Sequence, residues 1–121
     1  VFRTEELMEE GRDKLTALWA KNDDVKVSDT SLVWNSDLAE TLEYDNLLAQ
    51  SIVSLDSAIN RKESRGGHAR EDFPDRNDED WMKHTYVWLN EDGTSRIEYR
   101  PVHTETMTDD VKAVPPKARV Y

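Results

Sequence analysis

The sequence predicts a mainly α-helical fold: an antiparallel pair of long helices, forming an incomplete three-helix bundle, followed by a β-hairpin and an extended C-terminal tail. Apolar residues recur at helical spacing through two segments in the first half of the chain. The apolar period changes to two after Trp81, and an Asn-Glu-Asp-Gly run divides that stretch. The remainder is polar and contains a Pro-Pro pair, which is typical of an extended tail.

The length and composition are those of one domain. With 121 residues, of which 35% are charged and 36% apolar, the chain can bury a single modest core. We divide it into a helical region 1–64, a charged loop 65–83, a hairpin 84–102 and a tail 103–121. The chain begins with Val1-Phe2 and has no initiating Met, so we expect it to be a piece of a longer chain.

The first helix is predicted from Thr4 to Lys21. Thr4 suits the N-cap, and the acidic residues after it favour the positive end of the helix dipole. A turn should follow at residues 22–24, and residues 25–33 are too short and polar for more than an irregular crossing. The apolar stripe of this helix comprises Leu7, Met8, Leu15, Leu18 and Trp19.

The second helix is predicted from Ser36 to Ser64, with Asn35 or Ser36 as its N-cap and Gly66-Gly67 ending it. Neither Gly nor Pro interrupts it, and about 25 helical residues would be about 38 Å long. The first helix alone cannot bury so long a stripe, so we expect a third helix from outside this sequence. We expect the two helices to pack through Leu15, Leu18, Trp19, Leu42, Leu48, Ile52 and Leu55.

The β-hairpin is predicted from two alternating stretches. Asn90–Gly93 supplies turn residues between them, and Pro101 ends the second strand. The alternating positions that should share one face are Thr85, Val87, Leu89, Ile97 and Tyr99.

The net charge of −10 excludes some partners. A nucleic-acid-binding surface would be basic, and anionic lipid repels an acidic chain, so we expect no nucleic-acid partner. No apolar run approaches the ~20 residues of a membrane helix, so we expect no direct membrane insertion. The absence of cysteine excludes a disulfide, thiolate chemistry and a cysteine zinc site.

The stretch from Arg61 to His84 is dense in charge, which is typical of a solvated surface. Its Asp75–Asp80 run lacks the glycine of a calcium loop, and the histidines lack the spacing of a zinc site. No glycine lies in a dinucleotide-binding context. We predict no catalytic, cofactor-binding or metal-ligating residue, although an acid–base site around His68 stays open beside an ordinary network of surface ion pairs.

The same stretch resembles a known family. Arg-Lys-Glu-Ser-Arg-Gly-Gly-His-Ala-Arg-Glu-Asp-Phe-Pro-Asp-Arg from residue 61, followed by Trp-Met-Lys-His-Thr from residue 81, resembles the C-terminal domain of the succinate dehydrogenase flavoprotein subunit. The resemblance covers nearly the whole chain. It extends to the start of the long helix at 32–43, the hairpin end at 98–102 and the terminus at 115–121, so Tyr121 is expected to be the natural end.

The departures from the family pattern are small. The family usually has Ala at Gly67, Asp at Asn77 and Asn at Asp80. The His-Ala-Arg-Glu-Asp-Phe-Pro extension favours succinate dehydrogenase over L-aspartate oxidase, which shares the Glu-Ser-Arg-Gly core. Fumarate reductase, which has the same architecture and runs the reaction in reverse, stays open, as does an independent acidic protein-interaction module.

The resemblance implies a structural, docking role. In the family, FAD and the substrate-binding and proton-transferring residues belong to upstream domains, so this chain should hold no cofactor and be inactive alone. The parent would oxidise succinate to fumarate with FAD and pass electrons to an iron–sulfur subunit and quinone. It would lie on the cytoplasmic face of a bacterial inner membrane or the mitochondrial matrix side, attached through partner subunits.

The implied partners of this chain are the FAD-binding domain of the same polypeptide and the iron–sulfur subunit. Guanidinium groups can make bidentate contacts with carboxylates across an interface, and aromatic residues dominate interface energetics. The five interface candidates are Arg65, His68, Arg70, Phe73 and Trp81.

Overall fold

A computed structural model of the chain describes residues 3–117. The predictions made for Val1-Phe2 and for the last four residues, Tyr121 included, lie outside the described residues. In chain order the elements are helices α1 (Glu5–Trp19), α2 (Ser36–Asn60) and α3 (Asp78–Trp81), then strands β1 (Lys83–Leu89) and β2 (Ser95–Pro101). The predicted combination of helices with a two-stranded antiparallel hairpin is confirmed.

Helix α1 begins as predicted and ends two residues early. The hydroxyl of Thr4 accepts a hydrogen bond from the backbone N–H of Leu7, which makes Thr4 the N-cap. The helix ends at Trp19, and a single 3₁₀ turn occupies Asn22–Asp24, where turn residues were predicted. Residues 25–35 contain no helix or strand, which agrees with the irregular crossing predicted for most of this range.

Helix α2 has 25 residues, and the carboxamide of Asn35 caps it by accepting from the N–H of Leu38 at 2.8 Å. The prediction that it continues to Ser64 is wrong, because it ends at Asn60 and Arg61 is already extended. The backbone N–H of Ser64 instead donates to the carbonyl of Asp75 at 3.1 Å. This long-range bond takes the place of the helical one, so the helix stops well before the glycine pair.

The two long helices pack antiparallel along the C-terminal half of α2. Glu5 pairs with Lys62 at 3.1 Å, and Arg12 pairs with Asp56 at 2.6 Å. A Cβ added to Gly11 would lie 3.3 Å from Cδ2 of Leu55, so the helices approach closely there. In these contacts the residue number rises along α1 and falls along α2. The C-terminal end of α1 therefore lies beside the middle of α2.

The core is small and differs in part from the predicted set. Its buried apolar residues among 3–117 are Met8, Leu48 and Ile52. Leu48 and Ile52 were predicted, whereas the core positions predicted for Leu18 and Leu42 are wrong, since these side chains are 45% and 65% exposed. Leu42 lies in the half of α2 that extends past the end of α1.

The hairpin lies against the same half of α2. Val87 pairs with Ile97 near the middle of the ladder, and the hydroxyl of Tyr99 bonds the amide of Asn60 at 2.7 Å. Its turn packs on α1, where Gly93 adopts a φ of 78° and a Cβ would lie 2.7 Å from Cγ of Trp19. Side chains of β1 alternate between half-buried and exposed, as a period of two requires.

The tail after Pro101 forms no regular element up to residue 117 and is exposed from residue 103. No helix within residues 3–117 is both long and apolar enough to cross a membrane.

Candidate docking site

The segment from Arg61 to His84 folds back on the domain and organises two groups of charges. One group, the Glu63 cluster, consists of Arg61, Glu63, Arg65 and Asp78. The other, the Arg70 cluster, consists of Arg70, Asp72 and Glu5. A tight turn links them, in which Gly66 has a φ of 58° and Arg65 and His68 exchange backbone hydrogen bonds of 2.7 and 3.0 Å.

Glu63 is a fully buried carboxylate at the centre of the first cluster. Its Oε1 accepts from Nη1 of Arg61 at 2.6 Å and from Nε of Arg65 at 2.8 Å, while its Oε2 accepts from the backbone N–H of Asn77 at 2.9 Å. Burial raises the pKa of Glu63, but the bonds from Arg65, Asn77 and Arg61 outweigh it and hold the pKa below its ordinary value. Glu63 therefore stays ionised and ties Arg61 and Arg65 to the backbone at Asn77.

Arg70 is the second buried charge, with 2% of its surface exposed. Its Nε donates to Asp72 at 2.8 Å, and its Nη2 donates to Asp72 and, at 3.3 Å, to Glu5. The hydrogen bond from Arg70, foremost, keeps the pKa of Asp72 far below its ordinary value. Both carboxylates belong to this chain, whereas the sequence led us to expect partners of Arg70 on another surface.

A basic cleft of about 480 Å³ opens between the segment and the hairpin. Its walls are Arg61, Arg65, His68, Trp81, Met82, Lys83, His84, Thr85 and Val102. No Asp or Glu is among these lining residues, although the whole chain carries a net charge of −10. The lining combines cationic groups with apolar ones, which suits an anion that also has an apolar part.

His68 lies in this cleft with both ring nitrogens engaged. Nε2 lies 3.0 Å from the carbonyl oxygen of Arg61, and Nδ1 lies 3.3 Å from Nη1 of Arg3. Since a carbonyl only accepts and a guanidinium only donates, the neutral ring with its proton on Nε2 satisfies both contacts. Burial, followed by the charges of Arg3, Arg61 and Arg70, lowers the pKa of His68.

The structure brings three of the five predicted interface residues together and separates two. Arg65, His68 and Trp81 line the basic cleft. Arg70 belongs to the Arg70 cluster and Phe73 lies against it, with the Arg70 guanidinium 4.8 Å from the centre of the Phe73 ring. Sequence reasoning missed Arg61, Glu63 and Lys83. Alternating charge from Arg61 to Arg65 was the available signal for the Glu63 cluster, but nothing local marked Lys83.

An apolar surface remains uncovered at the other end of the domain. It consists of Leu32, Val33, Trp34, Leu38 and Leu42, all of them exposed. Trp34 is 97% exposed and adopts a φ of 52°, which is costly for a residue with a side chain. We name these residues the α2 apolar surface, because they lie on α2 or just before it, and exposed apolar patches mark interaction sites.

The glycines do not form a cradle for FAD. Gly11 packs on Leu55 within α1, and Gly93 packs on Trp19 in the hairpin turn. Gly66 and Gly67 occupy the turn between the two clusters, not the junction of a strand and a helix that a dinucleotide requires. Within residues 3–117, no group of three or more His, Cys, Asp or Glu could hold a metal ion.

The family model described as fumarate reductase flavoprotein C-term matches residues 1–121. The chain belongs to this family. Members with a curated name include the succinate dehydrogenase flavoprotein subunit of Rickettsia conorii, which is 55% identical over 121 residues. The mitochondrial succinate dehydrogenase [ubiquinone] flavoprotein subunit of Oryza sativa subsp. japonica is 55% identical over 122 residues. The chain is covered completely in both matches and spans about a fifth of each relative, 20% and 19%.

Fumarate reductases belong to the same family and share the fold. The fumarate reductase flavoprotein subunit of Haemophilus influenzae is 43% identical over 104 residues, which cover 84% of this chain and 17% of that protein. A solved structure of E. coli quinol fumarate reductase superposes with a TM-score of 0.81 at 39% identity, over 100% of this chain and 20% of that one. The arrangement of helices and hairpin is therefore a family feature.

Proposed function

We propose that this chain is the C-terminal docking domain of the flavoprotein subunit of succinate dehydrogenase. The parent would oxidise succinate to fumarate with FAD bound upstream and deliver the electrons to an iron–sulfur subunit and quinone. The observation that carries this proposal is the 55% identity over 121 residues to the flavoprotein subunit of Rickettsia conorii. The FAD chemistry is assigned to the rest of the polypeptide, because these residues offer no phosphate cradle.

The docking role has two surfaces in this proposal. The first is the α2 apolar surface, which would be covered by a third helix from the rest of the polypeptide and so complete a mainly α-helical three-helix bundle. The support is that α1 reaches only the C-terminal half of α2, while Leu38 and Leu42 stay exposed on the other half. The charged loop 65–83, the hairpin 84–102 and the tail 103–121 would then pack around that bundle.

The second surface is the segment from Arg61 to His84. Arg65, His68 and Trp81 would face the FAD-binding domain or the iron–sulfur subunit through the basic cleft. Phe73 would add an apolar anchor, and Arg70 would act by fixing the shape of the segment, since its own charge is satisfied inside the domain. The parent complex would lie peripherally on the cytoplasmic or matrix side of a membrane, held there by its partner subunits.

The test compares this chain with the longer protein that carries it. We expect the longer protein, purified with its partner subunits, to show a flavin absorption band and succinate-dependent reduction of an electron acceptor. The 121-residue chain alone should show neither. Flavin bound to the chain alone would contradict the proposed division of labour, and a longer protein that lacks flavin would contradict the family assignment of its activity.

Fumarate reductase is the second candidate, because the solved relatives of this fold include the E. coli quinol fumarate reductase at 39% identity. The two candidate enzymes differ in whether succinate oxidation or fumarate reduction is the faster reaction. The ratio of succinate oxidation to fumarate reduction by the same purified complex separates them, and we expect succinate oxidation to dominate.

A further inference from the structure

We infer that the basic cleft binds a carboxylate group on a short apolar stem, held between Lys83 and Arg65. This inference does not depend on the docking function, since every residue it uses belongs to the folded chain. The same chemistry could come from a small free carboxylate or from an acidic side chain of a polypeptide. Two hydrogen-bond donors that belong to lining residues of the cleft are left unused by the chain itself.

Lys83 provides the first donor. Its ammonium lies 4.0 Å from the centre of the Tyr99 ring and 4.7 Å from that of Trp81, so two aromatic faces position the charge. The described residues provide no carboxylate within ion-pair distance of this ammonium and no hydrogen-bond acceptor for it. An ammonium has three donors, so a residue that lines the cleft carries a positioned charge with unused donors.

Arg65 provides the second donor. Its Nε and Nη2 are engaged by Glu63 and Asp78, which fixes the plane of the guanidinium. Its Nη1, by contrast, has only the thioether sulfur of Met82, at 4.0 Å, as a hydrogen-bond partner among the described residues. A thioether is a weak acceptor, so this nitrogen can donate to an anion without breaking any strong bond.

Arg61 contributes charge, but both terminal nitrogens of its guanidinium are already engaged. Its Nη1 donates to Glu63 and to the carbonyl of Trp81, and its Nη2 donates to the carbonyl of Lys83 and the hydroxyl of Thr85. With both terminal nitrogens engaged, Arg61 is a rigid part of the wall. The binding contacts therefore fall to the other two cations.

The charge around the cleft suits an anion. Arg61, Arg65 and Lys83 carry three positive charges, and the nearest carboxylates, Glu63 and Asp78, neutralise two. Asp78 is shared with Arg76 at 2.9 Å, so at least one positive charge remains in excess. Burial first, and then the charges of Arg3, Arg61 and Arg70, lower the pKa of His68 in the same cleft.

The remaining lining selects the ligand class. Trp81, Met82 and Val102 give the cleft apolar wall next to the two donors. A bare inorganic anion would leave that wall in contact with water, whereas a carboxylate with a short apolar stem contacts both parts. A glutamate side chain and a short fatty acid share this form.

The experiment uses the ¹⁵N-labelled chain and two matched pairs of probes. The first pair is butyrate and its neutral analogue butyramide. The second is the capped peptide Gly-Leu-Glu-Gly and its counterpart Gly-Leu-Gln-Gly. We expect the carboxylate probes to cause saturable NMR shifts at the Trp81 indole N–H and at the amides of Thr85 and Val102, and the neutral probes to cause none.

Lys83→Met should weaken carboxylate binding about tenfold or more, because one of two charged donors is lost. Lys21→Met makes the same charge change outside the cleft and should leave the affinity unchanged. Lys83→Gln repeats the test if the methionine variant loses its native amide spectrum.

Binding of both carboxylates supports the shared chemistry. Binding of the peptide alone assigns the occupant to a protein side chain, and binding of butyrate alone assigns it to a free carboxylate. The inference is overturned if neither carboxylate saturates, if the neutral probes bind equally, or if both Lys83 variants bind like the unmodified chain.

Discussion

The guanidinium of Arg70 donates a hydrogen bond of 2.8 Å to the carbonyl oxygen of Ile59 in the last turn of α2. The same side chain binds Asp72 and Glu5, so one buried cation joins the end of α2, the charged segment and the start of α1. A cation at a helix C-terminus is favourable because the last carbonyl groups carry partial negative charge. Arg70 thus holds the segment in place and completes the end of the helix.

Replacement of Arg70 should destabilise the chain. Arg70→Met removes the cation, so Asp72, Glu5 and the end of α2 lose their bonds to it, at a cost on the order of 2–3 kcal/mol, below the full range for a buried pair because Asp72 and Glu5 reach solvent. Urea unfolding measures the loss. Arg76→Met, which removes a more exposed arginine that pairs with Asp78, should change little. Equal losses in the two variants would contradict the role given to Arg70.

Leu48 anchors α2 in the core. It is 4% exposed, so Leu48→Ala should lower the free energy of unfolding by roughly 2–5 kcal/mol, the usual cost of a large-to-small change in a core. Leu42→Ala makes the same change six residues earlier, at a side chain that is 65% exposed, and should cost well under 1 kcal/mol. A small effect at Leu48 would mean that the helix packs through another face.

Gly93 is required by both its conformation and its neighbour. Its φ of 78° disfavours a side chain, and a Cβ there would lie 2.7 Å from Cγ of Trp19. Gly93→Ala should therefore lower the free energy of unfolding by more than about 1 kcal/mol. Gly67→Ala is the matched control, because nothing lies within 4 Å of the added methyl group. Denaturant unfolding that ranks the two variants the other way would contradict this account of the turn.

His68 should make stability depend on pH in mildly acidic solution. Burial and nearby guanidinium groups lower its pKa from the ordinary value of 6.5, so below that pH the unfolded chain binds the proton more readily. Stability should therefore fall as pH decreases from about 6.5 toward the lowered pKa. Glu63, whose pKa is also lowered, adds a loss of stability only below about pH 4.5.

The measurement is the free energy of unfolding against pH for three proteins. His68→Gln should flatten the slope just below pH 6.5, because the titrating group is gone. His103→Gln, at an exposed position in the tail, should keep the original slope. If His68→Gln and the unmodified chain have the same slope, His68 is not held neutral by its surroundings.

Local sequence patterns predicted those features of the helices and strands that are set by residues close in sequence. The caps at Thr4 and Asn35 and the alternation along β1 lie within a few positions of what they determine. The end of α2 could not be predicted in this way, because the bond from Ser64 to Asp75 that replaces the helical one spans eleven residues. A run without Gly or Pro permits a helix but does not require it.

The candidate site was predictable in composition and not in geometry. The charge of residues 61–84 marked this segment in the sequence. The sequence does not distinguish an arginine that pairs with a carboxylate of its own chain from one that pairs with a carboxylate of a partner. The inward position of Arg70 follows from Glu5, 65 residues away, and from the end of α2. Lys83 was missed because its aromatic neighbour Tyr99 comes from the opposite strand.

The α2 apolar surface supports a final prediction that separates a docking domain from an independent one. Leu38 and Leu42 are exposed in this chain, so Leu38→Ala with Leu42→Ala should barely change its free energy of unfolding. In the longer protein, a third helix would bury both side chains, and their loss should cost on the order of 2–5 kcal/mol each. Leu47→Ala is the control, since Leu47 is 64% exposed and nine helical positions from Leu38, on the opposite side of α2. Urea unfolding of both proteins with each set of changes provides the comparison. Equal sensitivity of the chain and the longer protein to the double change would mean that nothing covers this face. The bundle would then consist of α1 and α2 alone.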